Sequence, residues 1–266
     1  MSAAPAASTA GSASLDTLLA VHELEQNFGG VRAVAGVTFE VRRGQTVGLI
    51  GPNGAGKSTT LDMIAGAARP SAGTVAFHGR DVTRLAAYQR ARMGIIRTFQ
   101  TSSEFAGLTV LENLLVAAPR LRGERFLGAL RGKWYWRDEE RQAVEAARRL
   151  LERFELTDKE DQYAGTLSGG QKRLLEIMRG LMAQPEILLL DEPMAGVNPS
   201  LTRRIEGYLL ELHLDGLTMI MVEHELGTVE RLCDPVIVMA EGRVLKQGSM
   251  PELRKEREVL DAYLIG

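Results

Sequence analysis

The stretch that most constrains this chain is "GPNGAGKSTT", Gly51 to Thr60, set directly after the apolar run "TVGLI". The run reads as a buried strand, and "STTLDMIAGAA" after it reads as a helix that ends near Pro70. Between them Gly51, Pro52, Asn53, Gly54, Ala55 and Gly56 form a loop whose glycines let the backbone curl, turning its N–H groups inward as an anion nest. A helix that starts near Lys57 adds the positive end of its dipole. In this pattern Lys57 would reach the β- and γ-phosphates of a nucleotide, Ser58 would place its hydroxyl on Mg²⁺, and Thr59 would add a phosphate contact. A glycine-rich turn with a chance lysine would have no reason to stand in this order between strand and helix.

Further along, apolar runs such as "ILLL" and "MIMV" alternate with longer amphipathic segments. That alternation implies an α/β fold with a mostly parallel sheet covered on both faces. "PVIVMAEGRVLKQG" reads as a hairpin turning at Glu241-Gly242. From about Thr101 to about Gly165 the rhythm breaks into mainly helical patterns, including the charged amphipathic "RDEERQAVEAARRLLERF". A helical subdomain, placed at about 101–183, is therefore expected inside one domain spanning 17–266. Residues 1–16, small and polar, read as a disordered tail without the charged and apolar regions of a secretory signal. No apolar run approaches the roughly 18 residues of a spanning helix. With 34 acidic and 32 basic residues, the chain has no basic footprint for nucleic acid. Its single cysteine, Cys233, allows no internal disulfide.

Two more motifs carry chemistry. "ILLLDEP" puts Asp191 at the end of a buried strand, expected beside the strand that feeds the glycine loop. Asp191 would hold Mg²⁺ through water, and Glu192 at the strand tip would orient an attacking water. "LSGGQ", Leu167 to Gln171, begins another helix: Ser168 is a good N-cap, and Gly169 and Gly170 keep the backbone bare. It is a second helix N-terminus suited to an anion, and a single nucleotide has no need of two such cradles so far apart in sequence.

The ordered set "GPNGAGKST", Gln100 closing "IIRTFQ", "LSGGQ", "ILLLDEP" and His224 in "MVEHE" resembles the ATP-binding cassette (ABC) family over nearly the whole chain after the tail. The resemblance implies the ABC ATPase fold: a P-loop NTPase core, an N-terminal antiparallel β-subdomain and an inserted helical subdomain. It implies ATP and Mg²⁺ as ligands and a second ATPase subunit, identical or not, arranged head to tail. The signature Leu167, Ser168, Gly169, Gly170 and Gln171 would then serve the nucleotide on the partner. Phe28, 23 residues before Gly51, would stack on adenine, with a plain core position as the competing reading. Gln100 would join Ser58 and Asp191 at the metal, and His224 would contact the γ-phosphate and hold Glu192. Many members have aspartate where "PMAGVNP" has Asn198, so a role there that needs a carboxylate is in doubt.

"FGGVRAV", "IIRTFQ", "LTVLENLLVA", "GVNP" and "LDAYLIG" together resemble the ATPase subunits of branched-chain amino acid importers. Transmembrane permeases and, indirectly, a solute-binding protein would be partners at the cytoplasmic face of the cell membrane. Trp134, Tyr135 and Trp136 would touch a permease or lipid, or simply cover their own subdomain. A lipopolysaccharide-type exporter ATPase, a soluble cassette ATPase and a P-loop small-molecule kinase are the rival readings.

Overall fold

The computed structural model of the chain describes residues 16–98, 104–119 and 133–264, with 133–137 and 262–264 described by their backbone alone. In chain order the elements are β1 (Thr17–Phe28), β2 (Val31–Arg42), β3 (Thr46–Ile50), α1 (Lys57–Ala65), β4 (Ala72–Phe77), β5 (Arg80–Asp81), α2 (Ala87–Arg92) and β6 (Ile95–Arg97). There follow α3 (Val110–Ala117), α4 (Lys133–Arg153), α5 (Gly169–Met182), β7 (Ile187–Asp191), α6 (Pro199–Leu214) and β8 (Thr218–Val222). The chain continues through α7 (Leu226–Leu232), β9 (Val236–Ala240), β10 (Arg243–Gly248), α8 (Met250–Leu253) and α9 (Arg257–Leu264).

The central sheet runs β10-β9-β3-β8-β7-β6. Its members from β9 to β6 pair in parallel, and β10 closes one edge antiparallel to β9. Every residue of β3, β7 and β8 is buried, as a strand covered on both faces requires. Alternate residues feed opposite cores. Leu188, Leu190, Met219 and Met221 join α5, α6 and α7 on one face. Leu189, Ile220, Val47 and Leu49 join α1 and the antiparallel sheet β2-β1-β4-β5 on the other. Helix α1 is therefore enclosed between two sheets, and the glycine loop before it is held from both sides.

The expectation that the Asp191 strand lies beside β3 is corrected. β8 stands between them, pairing Thr46 with Met219 on one side and Asp191 with Val222 on the other. The reason is physical: "ILLLD" and "TMIMV" are equally apolar and equally buried, so their composition carries no information on lateral order. The expected hairpin turns at Glu241 and Gly242, whose φ values of 49° and 75° suit a type I′ turn.

Helices α3, α4 and α5 pack on one another. α3 starts at Thr109, whose hydroxyl accepts from the Glu112 amide while the Glu112 carboxylate accepts from the Thr109 amide. Fully buried Asn113 ties the chain before this helix, accepting from the Phe105 amide and donating to the Phe105, Leu108 and Thr109 carbonyls.

Arg90 of α2 is 1% exposed and serves as a bracket for the end of α1. Its guanidinium donates to the carbonyls of Met63, Ile64, Thr83 and Leu85. Burial lowers its pKa, and the charge of Asp81 opposes that. Arg90→Met leaves these carbonyls without their donor. The expected loss is about 3 kcal/mol or more of unfolding free energy by urea titration. A loss near zero would show that water replaces the guanidinium.

Candidate functional site

The glycine loop rises from the C-terminal end of β3 and runs into α1 at Lys57. Two of its glycines are required by close approach. A Cβ on Gly51 would lie 2.0 Å from the Met239 carbonyl oxygen, and one on Gly56 would lie 2.5 Å from that of Ala33. At Gly54, by contrast, nothing lies within 4 Å of an added Cβ, so that side of the loop is open. The loop is tied to the β9–β10 turn by the Gly242 amide, which donates to the Ala55 carbonyl. Lys57 is 6% exposed, and its ammonium donates to the carbonyls of Gly51 at 2.7 Å and Pro52 at 2.9 Å. Burial pulls its pKa down, while the carboxylates of Glu192 and Asp191 pull it up. Ser58 and Thr59 follow on the first turn of α1.

Ser58 meets Asp191 across the sheet: its Oγ donates to Asp191 Oδ1 at 3.2 Å. Asp191 is fully buried, and its other oxygen accepts from the Arg97 guanidinium at 2.9 Å. Arg97 also pairs with Asp62. Little in "IIRTFQ" marks Arg97 as a site residue. Its one signal was a cation ending an apolar strand, which is equally the mark of a solvated strand tip.

Glu192 leaves β7 with φ 50°, in the left-handed region, and its amide donates to the Val222 carbonyl at 3.0 Å. That turn brings the side chain to His224, whose Nε2 lies 2.8 Å from Glu192 Oε1. The Glu192 carbonyl accepts from Arg173 of α5 at 3.2 Å. Lys57, Ser58, Asp191, Glu192 and His224 thus converge at the C-terminal edge of the sheet, where open α/β sheets place their ligands.

Ser168 caps α5 with a capping box: its Oγ accepts from the Gln171 amide, and Gln171 Oε1 accepts from the Ser168 amide. These bonds close on their own turn. Leu167 is buried beneath it, and a Cβ on Gly169 would meet nothing within 4 Å. On Gly170 it would meet Leu201 of α6. Asn198 caps α6, its Oδ1 accepting from the Leu201 amide at 3.0 Å and the Ser200 hydroxyl at 2.7 Å. That local duty needs an acceptor oxygen and no charge.

Phe28 is 55% exposed at the end of β1, which excludes a plain core position. The strand it leads into carries Ala33 and Val34, which pack against Gly56. Gln100 lies outside the described residues, as do residues 1–15 and the side chains of Trp134, Tyr135 and Trp136. Among the described residues no helix is long and apolar enough to cross a membrane.

The chain is 38% identical over 248 residues to the high-affinity branched-chain amino acid transport ATP-binding protein BraF of Pseudomonas aeruginosa, covering 93% of this chain and 97% of that one. It is 39% identical over 249 residues to LivG of Salmonella typhimurium, a high-affinity branched-chain amino acid transport ATP-binding protein, with the same coverage of 93% and 97%. Among solved structures it resembles a nucleotide-free ATP-binding cassette from an ABC transporter, with a TM-score of 0.80 and 35% identity over 93% of this chain and 98% of that one. The ADP conformation of the cassette MJ1267 matches with the same TM-score, identity and coverage. The family model described as ABC transporter matches residues 34–195, from the strand that packs against Gly56 to the turn after Glu192, and the chain belongs to the ABC transporter family.

Proposed function

We propose that this chain is the ATP-hydrolysing subunit of an ABC importer for branched-chain amino acids or related small polar solutes. The observation that carries the reading is the joint placement of Ser58 against Asp191 and of His224 against Glu192 at one sheet edge, above the glycine loop. The import assignment rests on the relatives, whose names specify branched-chain amino acid transport.

ATP is the substrate, with its phosphates in the Gly51–Thr59 loop and its base against exposed Phe28. The Ser58 hydroxyl and Asp191 carboxylate are hard oxygen donors already within 3.2 Å of each other, a set that fits Mg²⁺. Gln100 completes that set in this reading. Mg²⁺ when bound supplies neutralisation of phosphate charge. Lys57 adds a cation at the β- and γ-phosphates. Glu192 accepts a hydrogen bond from the attacking water and aims it, and His224 fixes the Glu192 carboxylate and faces the γ-phosphate. The chemistry is positioning and electrostatics around a loose transition state.

The second cradle, Leu167 to Gln171, serves the nucleotide of a partner ATPase subunit, with exposed Asn198 near the shared boundary. A two-fold arrangement then makes two equivalent sites. Transmembrane permease subunits transmit the motion, a solute-binding protein delivers the cargo to them, and the chain works from the cytoplasmic face of the membrane. Residues 17–266 form the ATPase domain, with 101–183 as its helical subdomain.

Lys57→Ala tests the nucleotide assignment. Calorimetry is expected to show tight ATP binding abolished, with the melting transition retained. Near wild-type affinity in a normally folded variant would defeat the loop's role.

A further inference from the structure

Nothing in "MVEHE" singles out Glu223, which lies between β8 and His224. It is 4% exposed, and the groups that hold its carboxylate are backbone amides. Oε1 accepts from the Met194 amide at 3.0 Å, and Oε2 accepts from the His224 amide at 3.2 Å. Met194 stands two residues after Glu192, and His224 is the partner of Glu192. One side chain therefore joins the two chain segments that carry the catalytic pair. The β7–β8 ladder aligns the segments as far as Asp191 opposite Val222; beyond it the Glu192 amide donates to the Val222 carbonyl, and the pair makes its own side-chain contact.

A carboxylate is a costly choice for this position. Burial raises its pKa; the Met194 and His224 amides oppose that, and the charge of Glu192 adds to it. Nearby Cys233 stays a neutral thiol, because burial and then the Glu223 charge push its pKa up to about 12, so it neither offsets nor adds to the buried charge. If the strand end needed packing alone, an apolar side chain would serve it better. What a carboxylate offers here is two acceptor oxygens at fixed separation, and two amides occupy them. A glutamine has one acceptor and would turn its NH₂ against an N–H. A threonine hydroxyl has less reach.

We propose that Glu223 is a positioning residue for hydrolysis: its two oxygens hold the Met194 and His224 amides and so set the spacing at which His224 Nε2 meets Glu192 Oε1. It acts through the pair and touches neither nucleotide nor water. The proposal rests on the reading of Glu192 and His224 given above.

The test is a double-mutant cycle on purified chain with ATP and Mg²⁺. E223Q is expected to lower kcat about tenfold, which is about 1.4 kcal/mol of barrier, with KM and ATP affinity essentially unchanged. In the H224A background the same substitution is expected to cost nothing further, because the spacing it controls no longer has a partner. Wild-type kcat in E223Q overturns the proposal. So do effects that multiply across the cycle, or a rise in KM and ATP dissociation constant that parallels the fall in kcat, since these are marks of general structural damage. If circular dichroism shows E223Q unfolded, E223D is taken through the same cycle, since it keeps the charge but draws both oxygens back from the two amides by one methylene. Full turnover in H224A or E192Q would instead overturn the reading of the pair, and this proposal with it. A failure at Glu223 alone leaves both of those variants slow.

Discussion

Glu192→Gln is expected to lower ATP turnover by about 10²–10³, or about 3–4 kcal/mol of barrier, while ATP binding persists. The substitution is close to isosteric. Glutamine retains an oxygen where Glu192 Oε1 meets His224 Nε2 at 2.8 Å, so the loop geometry is kept. The backbone at this position has φ 50°, and the substitution leaves the Cβ that must tolerate it unchanged. What disappears is the negative charge that, in the proposed function, orients the attacking water, and that attracts the Lys57 ammonium. Binding relies on the loop and Lys57, so it survives. Because the step that reopens the complex is blocked, an ATP-bound dimer should accumulate. Phosphate release gives the turnover, and light scattering with ATP and Mg²⁺ gives the mass. Normal turnover, or only monomer under saturating ATP, would count against the role.

The parts of the site that were legible in the sequence are those written contiguously. Gly51 to Thr59 form one contiguous loop and first helical turn whose spacing is itself the signal, and Ser168 with Gln171 forms a capping box within one turn. Asp191 was placed correctly at a strand end, yet its strand's neighbour was not, because burial on both faces erases the periodicity that would distinguish β7 from β8. Asn198 stands out in the sequence by its missing charge, and the structure supplies the local reason an amide suffices: it caps α6.

The unread residues share one feature: they act on backbone groups or acids brought in from distant sequence. Arg90 holds carbonyls of Met63 and Ile64, and Glu223 holds the amide of Met194. Arg97 reaches Asp62 and Asp191 at once. An isolated charged residue at a strand or helix end looks the same whether solvent or the interior receives it. Only the folded register decides, and that register depends on sheet order, the feature least visible in the sequence.

The Ser168 capping box closes on its own turn, and beyond it the helix end presents Gly169, where an added Cβ would meet nothing within 4 Å. If a partner's phosphate approaches there, Ser168→Arg leaves nucleotide binding by the single chain intact and blocks ATP-driven dimerisation through bulk. The substitution also removes the cap of α5, at about 1 kcal/mol, which folded protein should tolerate. Lys57→Ala and Ser168→Arg chains are each inactive alone, since every dimer they form carries a lesion in both sites. Mixed, they make one dimer with both lesions in a single composite site and none in the other. ATP hydrolysis should then return, up to what one intact site sustains, and nucleotide trapping at that site should appear even where the two sites must fire together. A single-chain kinase, with its whole site in one copy, predicts no rescue by either measure. If mass measurement shows the mixed dimer formed and neither activity nor trapping recovers, the signature helix does not serve its partner, and the second cradle must have another purpose.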